Sequence, residues 1–487
     1  MARIAETMQE RGHQVDFVYA PINTLVNYKF KNLNVTTLIF PNIHETTKLL
    51  TETSMYGDVF QGYHNVLGKD TVKTVGGLLR IYCYELINHP QMQIIARQRY
   101  DGLFTEALDA CAMGVGHLNN IRPTFVLSPL PMYEAPSYSL GIPYNPNVLP
   151  VMNMAPPSGI HMNFMERIRN LYYYYDSAIT SRTKLADYLF ELVADKNLPP
   201  PEDLVRNAAL FIQNTNEFVD LPKVLSSKQV LVGGIGNGKV KKLESPIQDI
   251  IDLSQEGIVY FSFGSLADNT KMPQNVRKAF VDAFAEFPEY QFIWKFDDIL
   301  MYNVSNVHTF SWVDQVSILN HPKTKAFITH CGLNSLNEAA FAGVPMLSIP
   351  LFGDQTFNTA VVKHIGVGVA LSKLGLTKES IVEALREVLY DKKIHEKSTN
   401  LKKILHSVTS PKDRLIQAVE MATEFPEVYE NLKLPTAGLS LITYFSIDLI
   451  IYSVLITLTS ILTIYFSYQI VFYQLFSKFF VNKVKMN

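Results

Sequence analysis

The hydrophobic rhythm of the chain changes several times along its length. Ala2 to Arg11 sets Ile4 and Met8 one turn apart among Glu6, Glu10 and Arg11, the pattern of an amphipathic helix, and Gly12 stops it. Gln14 to Tyr19 then reads as a short strand. A helix followed by a strand is half of a βαβ unit, and a parallel sheet wants the preceding strand near its centre. That strand is expected upstream of residue 1. Further strands are expected at Gly102 to Phe104, Thr124 to Ser128, Leu210 to Asn214 and Val230 to Gly233, with helical stretches around Thr71 to Leu86 and Glu106 to His117. Ser158 to Asp176 mixes aromatic and basic residues, and reads either as a membrane or substrate contact or as a helix packed on its neighbours.

Gly233-Gly234-Ile235-Gly236-Asn237-Gly238 is a hinge signal, and the polar run Lys239 to Pro246 follows it. The alternation then restarts. Gly257 to Phe263 is an apolar strand closed by Gly264-Ser265, and Pro273 to Phe287 a helix. Gln291 to Lys295, Val307 to Phe310, Ala326 to Thr329 and Met346 to Pro350 are strands again. Strand, loop and helix at this spacing predict an α/β fold with a doubly wound parallel sheet, whose ligands bind at the carboxyl ends of the strands. The expected division is 1–238, 239–430, a membrane anchor at 447–477 and a tail at 478–487.

The anchor follows from Leu449 to Ser477, which holds no Asp, Glu, Lys or Arg. About 20 apolar residues suffice to cross the hydrocarbon of a bilayer. Tyr465, Tyr468 and Tyr473 suit an interfacial belt, and Lys478, Lys483 and Lys485 place the tail on the cytosolic side. Lys483 and Lys485 also fit a dilysine retrieval signal of the endoplasmic reticulum; the plain alternative is a basic flank. Met1 to Tyr19 shows no secretory signal, which a lumenal enzyme would need. The sequons Asn34-Val35-Thr36 and Asn303-Val304-Ser305 fit a lumenal location but weigh little. A net charge of −2 leaves no footprint for nucleic acid. At 487 residues the chain exceeds one hydrophobic core. Its three cysteines, Cys83, Cys111 and Cys331, make no disulfide framework and read as buried or incidental thiols.

The chemistry concentrates between Phe310 and Gly368: Trp312, Asp314 and Gln315, then His321-Pro322, Thr329-His330-Cys331-Gly332, Asn334-Ser335, Glu338, Gly343-Val344-Pro345, Gly353-Asp354-Gln355 and Asn358. A strand ending in Thr329-His330-Cys331-Gly332 and leading into a helix aims backbone N–H groups at its N-terminus, an anion site that suits a diphosphate. His330, Asn334 and Ser335 add donors. Trp312 offers a face for stacking a base. Gln315 can satisfy ribose or base groups, and Glu338 can accept from ribose hydroxyls. Asp354 and Gln355 suit sugar hydroxyls. Gly264-Ser265 is a second diphosphate contact or merely a turn. Singly, Trp312 is a core residue, His330 a structural histidine and Asn334-Ser335 a helix cap.

In this spacing the segment resembles the donor-binding signature of the UDP-glycosyltransferases, in particular the UDP-glucuronosyltransferase family, with weaker resemblance along essentially the whole chain. The resemblance implies two Rossmann-like domains of the GT-B type. The first would bind a small lipophilic acceptor and the second a UDP-sugar, a co-substrate rather than a cofactor, with no metal. It further implies inversion by direct displacement, with a histidine as general base and an acidic residue supporting it. That histidine is expected upstream of residue 1, and no residue here matches it. His13 matches a Gly-His turn before the second strand, and His161 only mimics the spacing. Glu106 stands at the position of the acidic partner, with Asp109 as runner-up; either carboxylate could instead simply favour a helix N-terminus. Three functions stay open: a glucuronosyl or glucosyl transferase of the endoplasmic reticulum membrane, an inactive donor-binding or dimer partner, and a nucleotide-sugar epimerase of the same fold. Oligomer formation is left open.

Overall fold

The computed structural model describes residues 1–20, 33–38, 40, 59–60, 80–107, 110–156, 158–180, 190–265, 267–296 and 304–484. Met1–Leu434 form one compact unit and Pro435–Asn487 a second. In the first unit α1 (Ala2–Arg11) leads into β1 (Asp16–Tyr19), which pairs in parallel with β2 (Asn34–Thr37). Then come β3 (Leu103–Glu106), α2 (Ala110–Leu118), β4 (Thr124–Ser128), α3 (Glu134–Ser139), α4 (Phe164–Thr180), β5 (Leu210–Gln213) and β6 (Gln229–Leu231). Among the described residues β3-β4-β5-β6 form a separate parallel sheet.

Alternation sorts the side chains of that sheet onto two faces. Val126 and Phe211 face a cluster with Cys83, Cys111 and Ile87. Phe125, Leu127, Leu210 and Ile212 face Ile4 and Met8 of α1. A later helix, Pro411–Glu424, returns to this second face and adds Leu415, Val419 and Ala422. Arg11 with Glu420 and Lys412 with Glu10 accompany the return, but such exposed pairs contribute little.

After β6 the chain builds a larger sheet. It comprises β7 (Gly257–Ser262), β8 (Tyr290–Lys295), β9 (Val307–Phe310), β10 (Thr324–Thr329), β11 (Met346–Ser348) and β12 (Gly368–Ala370). The order β12-β11-β10-β7-β8-β9 is parallel throughout and reverses between β7 and β10, so the carboxyl ends of those two strands flank the topological switch point. Helices α5 (Gln274–Phe284), α6 (Gln315–Leu319), α7 (Leu333–Ala342), α8 (Gln355–Ile365) and α9 (Lys378–Tyr390) join the strands. The core is aromatic. Phe261 stacks on Trp294 at 4.6 Å and Phe284 on Phe292 at 4.0 Å, all four wholly buried. Each such side chain contributes about 1.5–3 kcal/mol of hydrophobic stabilisation.

The strands expected within the chain are present, and β2 and β12 are added. The glycine run is a packing device at two positions. A Cβ on Gly233 would lie 2.5 Å from the Thr215 backbone, and one on Gly234 2.4 Å from the Phe341 ring. The cysteine reading is corrected: Cys83 and Cys111 form a disulfide across 28 residues, with Cα atoms 5.0 Å apart, and only Cys331 of the three is a free thiol. Sequence spacing carries no sign of this, because tertiary packing brings the pair together. Closing a loop of that length stabilises by about 3–4 kcal/mol.

Along α4, Asn170, Tyr174 and Ser177 are buried while Phe164, Met165, Ile168 and Tyr172 stay exposed. The second unit contains one long helix, α10 (Ile447–Val484), whose segment Ile447–Ser477 includes an 18-residue stretch with a mean hydropathy of 2.1. By length and composition it can cross a membrane. Part of the expected helix at Thr71 to Leu86, together with Asn303 and Lys485, lies outside the described residues; residues 80–88 are helical.

Candidate functional site

The site begins with the turn after β10. Thr329, wholly buried, accepts the Cys331 N–H on its hydroxyl at 3.0 Å. Cys331 adopts φ 63°, an uncommon angle for a side-chain-bearing residue. Its carbonyl accepts from Asn358 Nδ2 at 2.9 Å. So pinned, the turn delivers Gly332 as the cap of α7, with no capping side chain. The first-turn N–H groups of α7 thus point out at the strand end, where the helix dipole favours an anion.

Glycine is required on both sides of the His330 ring. A Cβ on Gly332 would lie 2.6 Å from Nε2, and one on Gly264, at φ 79° after β7, would lie 2.7 Å from Cε1. Burial pushes the His330 imidazole down to about 4, and the Lys295 charge nearby adds to the effect. His330 is therefore a neutral ring at physiological pH.

Around it a polar network closes. Gln315, first residue of α6, donates through Nε2 to Ser335 Oγ at 3.1 Å and to Glu338 Oε2 at 2.7 Å. Asp314 caps the same helix, accepting from the Ser317 N–H at 3.2 Å. Burial raises the Glu338 carboxyl, partly offset by the Gln315 hydrogen bond, while Asp314 raises it further. Trp312 is 71 % exposed, an open face rather than a core residue. It lines an open cleft of about 440 Å³ with Lys242, Leu243, Pro246 and Phe310.

Asp354 precedes α8 and accepts from Asn358 Nδ2 at 2.7 Å and from the Leu333 backbone in the first turn of α7. Burial raises its carboxyl. Gln355 is buried, and its Oε1 accepts the N–H groups of Leu351 (2.7 Å) and Phe352 (3.0 Å). Gln355 therefore braces its own loop, and its amide NH₂ is the end left to meet a ligand. Asn334 lies exposed on α7 and accepts at Oδ1 from Asn214 Nδ2 at 2.8 Å. Ser265 is exposed in the turn after β7.

The structure thus brings Gly264, His330, Gly332, Asn334, Ser335, Glu338, Gln315 and Asp354 to one end of the larger sheet. Glu106 ends β3 of the smaller one, with Tyr133 within electrostatic reach; Asp109 lies outside the described residues. His13 sits on the surface, 3.2 Å from Glu420, and His161 is exposed. Two site residues, Lys295 and Asn214, escaped the sequence reading. Lys295 ends β8, is 8 % exposed, donates to the Gly264 carbonyl at 2.7 Å and lies 5.4 Å from the Trp312 ring centre. A lysine at a strand terminus facing the switch point was the available signal. Asn214 gave none, and Asn358 was named in the signature without a role, since both roles arise from tertiary contacts.

Chemically, the turn and helix present neutral hydrogen-bond donors, a helix N-terminus, a buried cation, carboxylate acceptors and an exposed indole. That set suits an anionic ligand carrying a flat base and hydroxyl groups.

The family described as UDP-glucoronosyl and UDP-glucosyl transferase matches residues 1–485. The chain is 27% identical over 467 residues to UDP-glucuronosyltransferase 2B7 of Homo sapiens, covering 92% of this chain and 86% of the relative. It is 29% identical over 393 residues to UDP-glucosyltransferase 2 of Dactylopius coccus, covering 78% and 74%. Among solved structures it resembles CalG4, the calicheamicin glycosyltransferase, with a TM-score of 0.58 at 15% identity, covering 88% of this chain and 94% of that one. The fold is of the GT-B type.

Proposed function

Because the chain belongs to the UDP-glucoronosyl and UDP-glucosyl transferase family, we propose that it moves a sugar from a UDP-sugar to the hydroxyl of a small lipophilic acceptor, inverting the anomeric carbon. Residues 239–430 bind the donor and residues 1–238 the acceptor. The observation that carries the reading is the convergence of Gly264, His330 and the α7 N-terminus at the switch point, beside the Gln315–Ser335–Glu338 network. The uracil stacks on Trp312, Glu338 and Gln315 hold the ribose, and Asp354 and Gln355 meet the sugar. No resident cofactor or metal is required.

In the transfer, the acceptor oxygen forms a bond to the anomeric carbon as the bond from that carbon to the β-phosphate oxygen breaks. The electron pair leaves with UDP. The acceptor proton passes to a general base, with Glu106 as the supporting carboxylate. The residues at α7 stabilise the charge that builds on the leaving diphosphate. Lys295 supplies a fixed positive charge at the same place.

The sugar is glucuronic acid in the reading favoured by the human relative; the insect relative makes glucose the alternative. The anchor is residues 447–477 of α10, in the endoplasmic reticulum membrane, with the preceding domains lumenal and the tail 478–487 cytosolic. The Cys83–Cys111 disulfide supports that side, because such bonds persist in oxidising compartments.

The test is calorimetric titration of the detergent-solubilised chain with UDP, UDP-glucuronic acid and UDP-glucose, followed by UDP release with a panel of phenols. Acceptor-dependent release supports the transferase. UDP binding without release points to a donor-binding partner. Absence of UDP binding overturns the reading.

A further inference from the structure

The sheet β3-β4-β5-β6 and the larger sheet meet at one asparagine that the reaction described above does not use. Asn214 immediately follows β5, and its backbone is fully engaged. Its N–H donates to the Ser128 carbonyl at 3.0 Å, and its own carbonyl accepts from Asn337 Nδ2 at 3.0 Å. Asn337 lies on the inner face of α7 and is 1% exposed, so this contact ties the first turns of α7 to the end of β5. With the backbone fixed at both ends, the Asn214 side chain keeps little freedom. It donates through Nδ2 to Asn334 Oδ1 at 2.8 Å.

We propose that Asn214 is a positioning residue for the donor site, setting which end of the Asn334 amide faces the diphosphate. The proposal rests on the reading of α7 as the diphosphate site. An amide has one accepting oxygen and one donating NH₂ group. An anion takes only the second. Left alone, the exposed Asn334 side chain could present either end. The hydrogen bond from Asn214 occupies the oxygen, so the NH₂ remains for the ligand. The same bond spans the two sheets, so the orientation holds only while both halves are docked at this contact. Donor affinity thereby depends on the residue that ends a strand of the other sheet.

Substitutions separate the parts of this claim. Asn214→Asp offers only acceptors. It recruits the Asn334 NH₂, turns the Asn334 oxygen toward the anion and adds a negative charge. Asn214→Ala removes the orienting bond but leaves the Asn337 contact to the backbone. Asn334→Ala removes the amide being oriented. UDP binding to the full chain is measured by calorimetry, alongside thermal unfolding without ligand. Loss of one charge-assisted hydrogen bond corresponds to roughly a tenfold change. UDP affinity is therefore expected to fall about tenfold or more in N214D and about threefold to tenfold in N214A. In the N334A background, N214A should produce no further loss, a coupling that a merely structural role would not show.

A wild-type chain that fails to bind UDP sinks the functional reading itself. A wild-type chain that binds UDP while N214D binds equally well overturns the inference alone. Should N214D unfold, the N214A and N334A pair still decides. Equal losses from N214A with and without Asn334 would mean that Asn214 acts by another route, and would overturn the proposal.

Discussion

Of the three sheets in the first unit, the six-stranded one and the β1–β2 pair differ in how completely their strands are covered. In the larger one, β7 is buried at every position, and β8 and β10 at all but one. Helices lie on both faces, and the interior is a stack of phenylalanine and tryptophan rings. In the β1–β2 pair no residue is buried; each is exposed or half-covered. A strand covered on both faces cannot shift without opening a cavity, so the turns at its carboxyl end are fixed to within fractions of an ångström. That is what lets two glycines hold a histidine ring between them. The binding residues accordingly gather on the well-covered sheet.

The largest test of this contrast is a pair of core truncations. Trp294→Ala removes a wholly buried ring that touches Phe261, Phe280 and Phe296. A loss of about 3–5 kcal/mol is expected in denaturant unfolding. Phe17→Ala in β1, half-covered, is expected to cost at most about 1.5 kcal/mol. Equal losses would break the comparison.

Gly264→Ala is next. The added methyl meets the His330 ring, and φ 79° strains any side-chain-bearing residue. About 1–3 kcal/mol of stability should be lost. UDP affinity should fall more steeply than stability, because the displaced ring belongs to the site. A variant that loses stability but binds UDP normally would separate His330 from the ligand.

The difference between the sheets also decides what could be read from the sequence. Strands such as Gly257–Ser262 and Tyr290–Lys295 announce themselves because double coverage demands a continuous apolar run. The turn His330-Cys331-Gly332 was equally legible, since local backbone geometry dictates glycine and the helix start. β2 was not, because Asn34-Val35-Thr36-Thr37 carries one apolar residue and so shows no apolar alternation. The Cys83–Cys111 bond, the brace that Gln355 makes to Leu351 and Phe352, and the Asn214–Asn334 contact depend on residues brought together only by folding. Lys295 falls between these cases: its strand was legible, but its reach to the Gly264 carbonyl required the neighbouring strand's position.

A smaller effect is expected at Glu338. Its carboxyl is raised by burial, so the ionised acceptor is lost as the pH falls through that raised value. Wild-type UDP affinity should therefore weaken as the pH is lowered from neutral, beginning above the pH at which an ordinary glutamate protonates. Glu338→Gln cannot titrate. It should bind UDP up to about tenfold more weakly at neutral pH and lose most of this pH dependence. A wild-type profile as flat as that of E338Q would remove Glu338 from the ligand.

The smallest expected effect, and the sharpest, concerns His330. Burial places its imidazole at about 4, below the ordinary 6.5. Charging it is disfavoured in the folded chain, so the stability it contributes is complete above about 6.5 and is lost as the pH falls from there toward about 4. His330→Asn should remove that part of the acid sensitivity in thermal unfolding. For binding the sign is different. If the neutral ring is the group that meets the diphosphate, UDP affinity in the E338Q background should show no inflection near pH 6.5. A rise in affinity as the pH falls through that point would mean that the diphosphate draws a proton onto the ring. The well-covered sheet would then be yielding to its ligand, and the rigidity inferred from its aromatic core would not extend to the turn it carries.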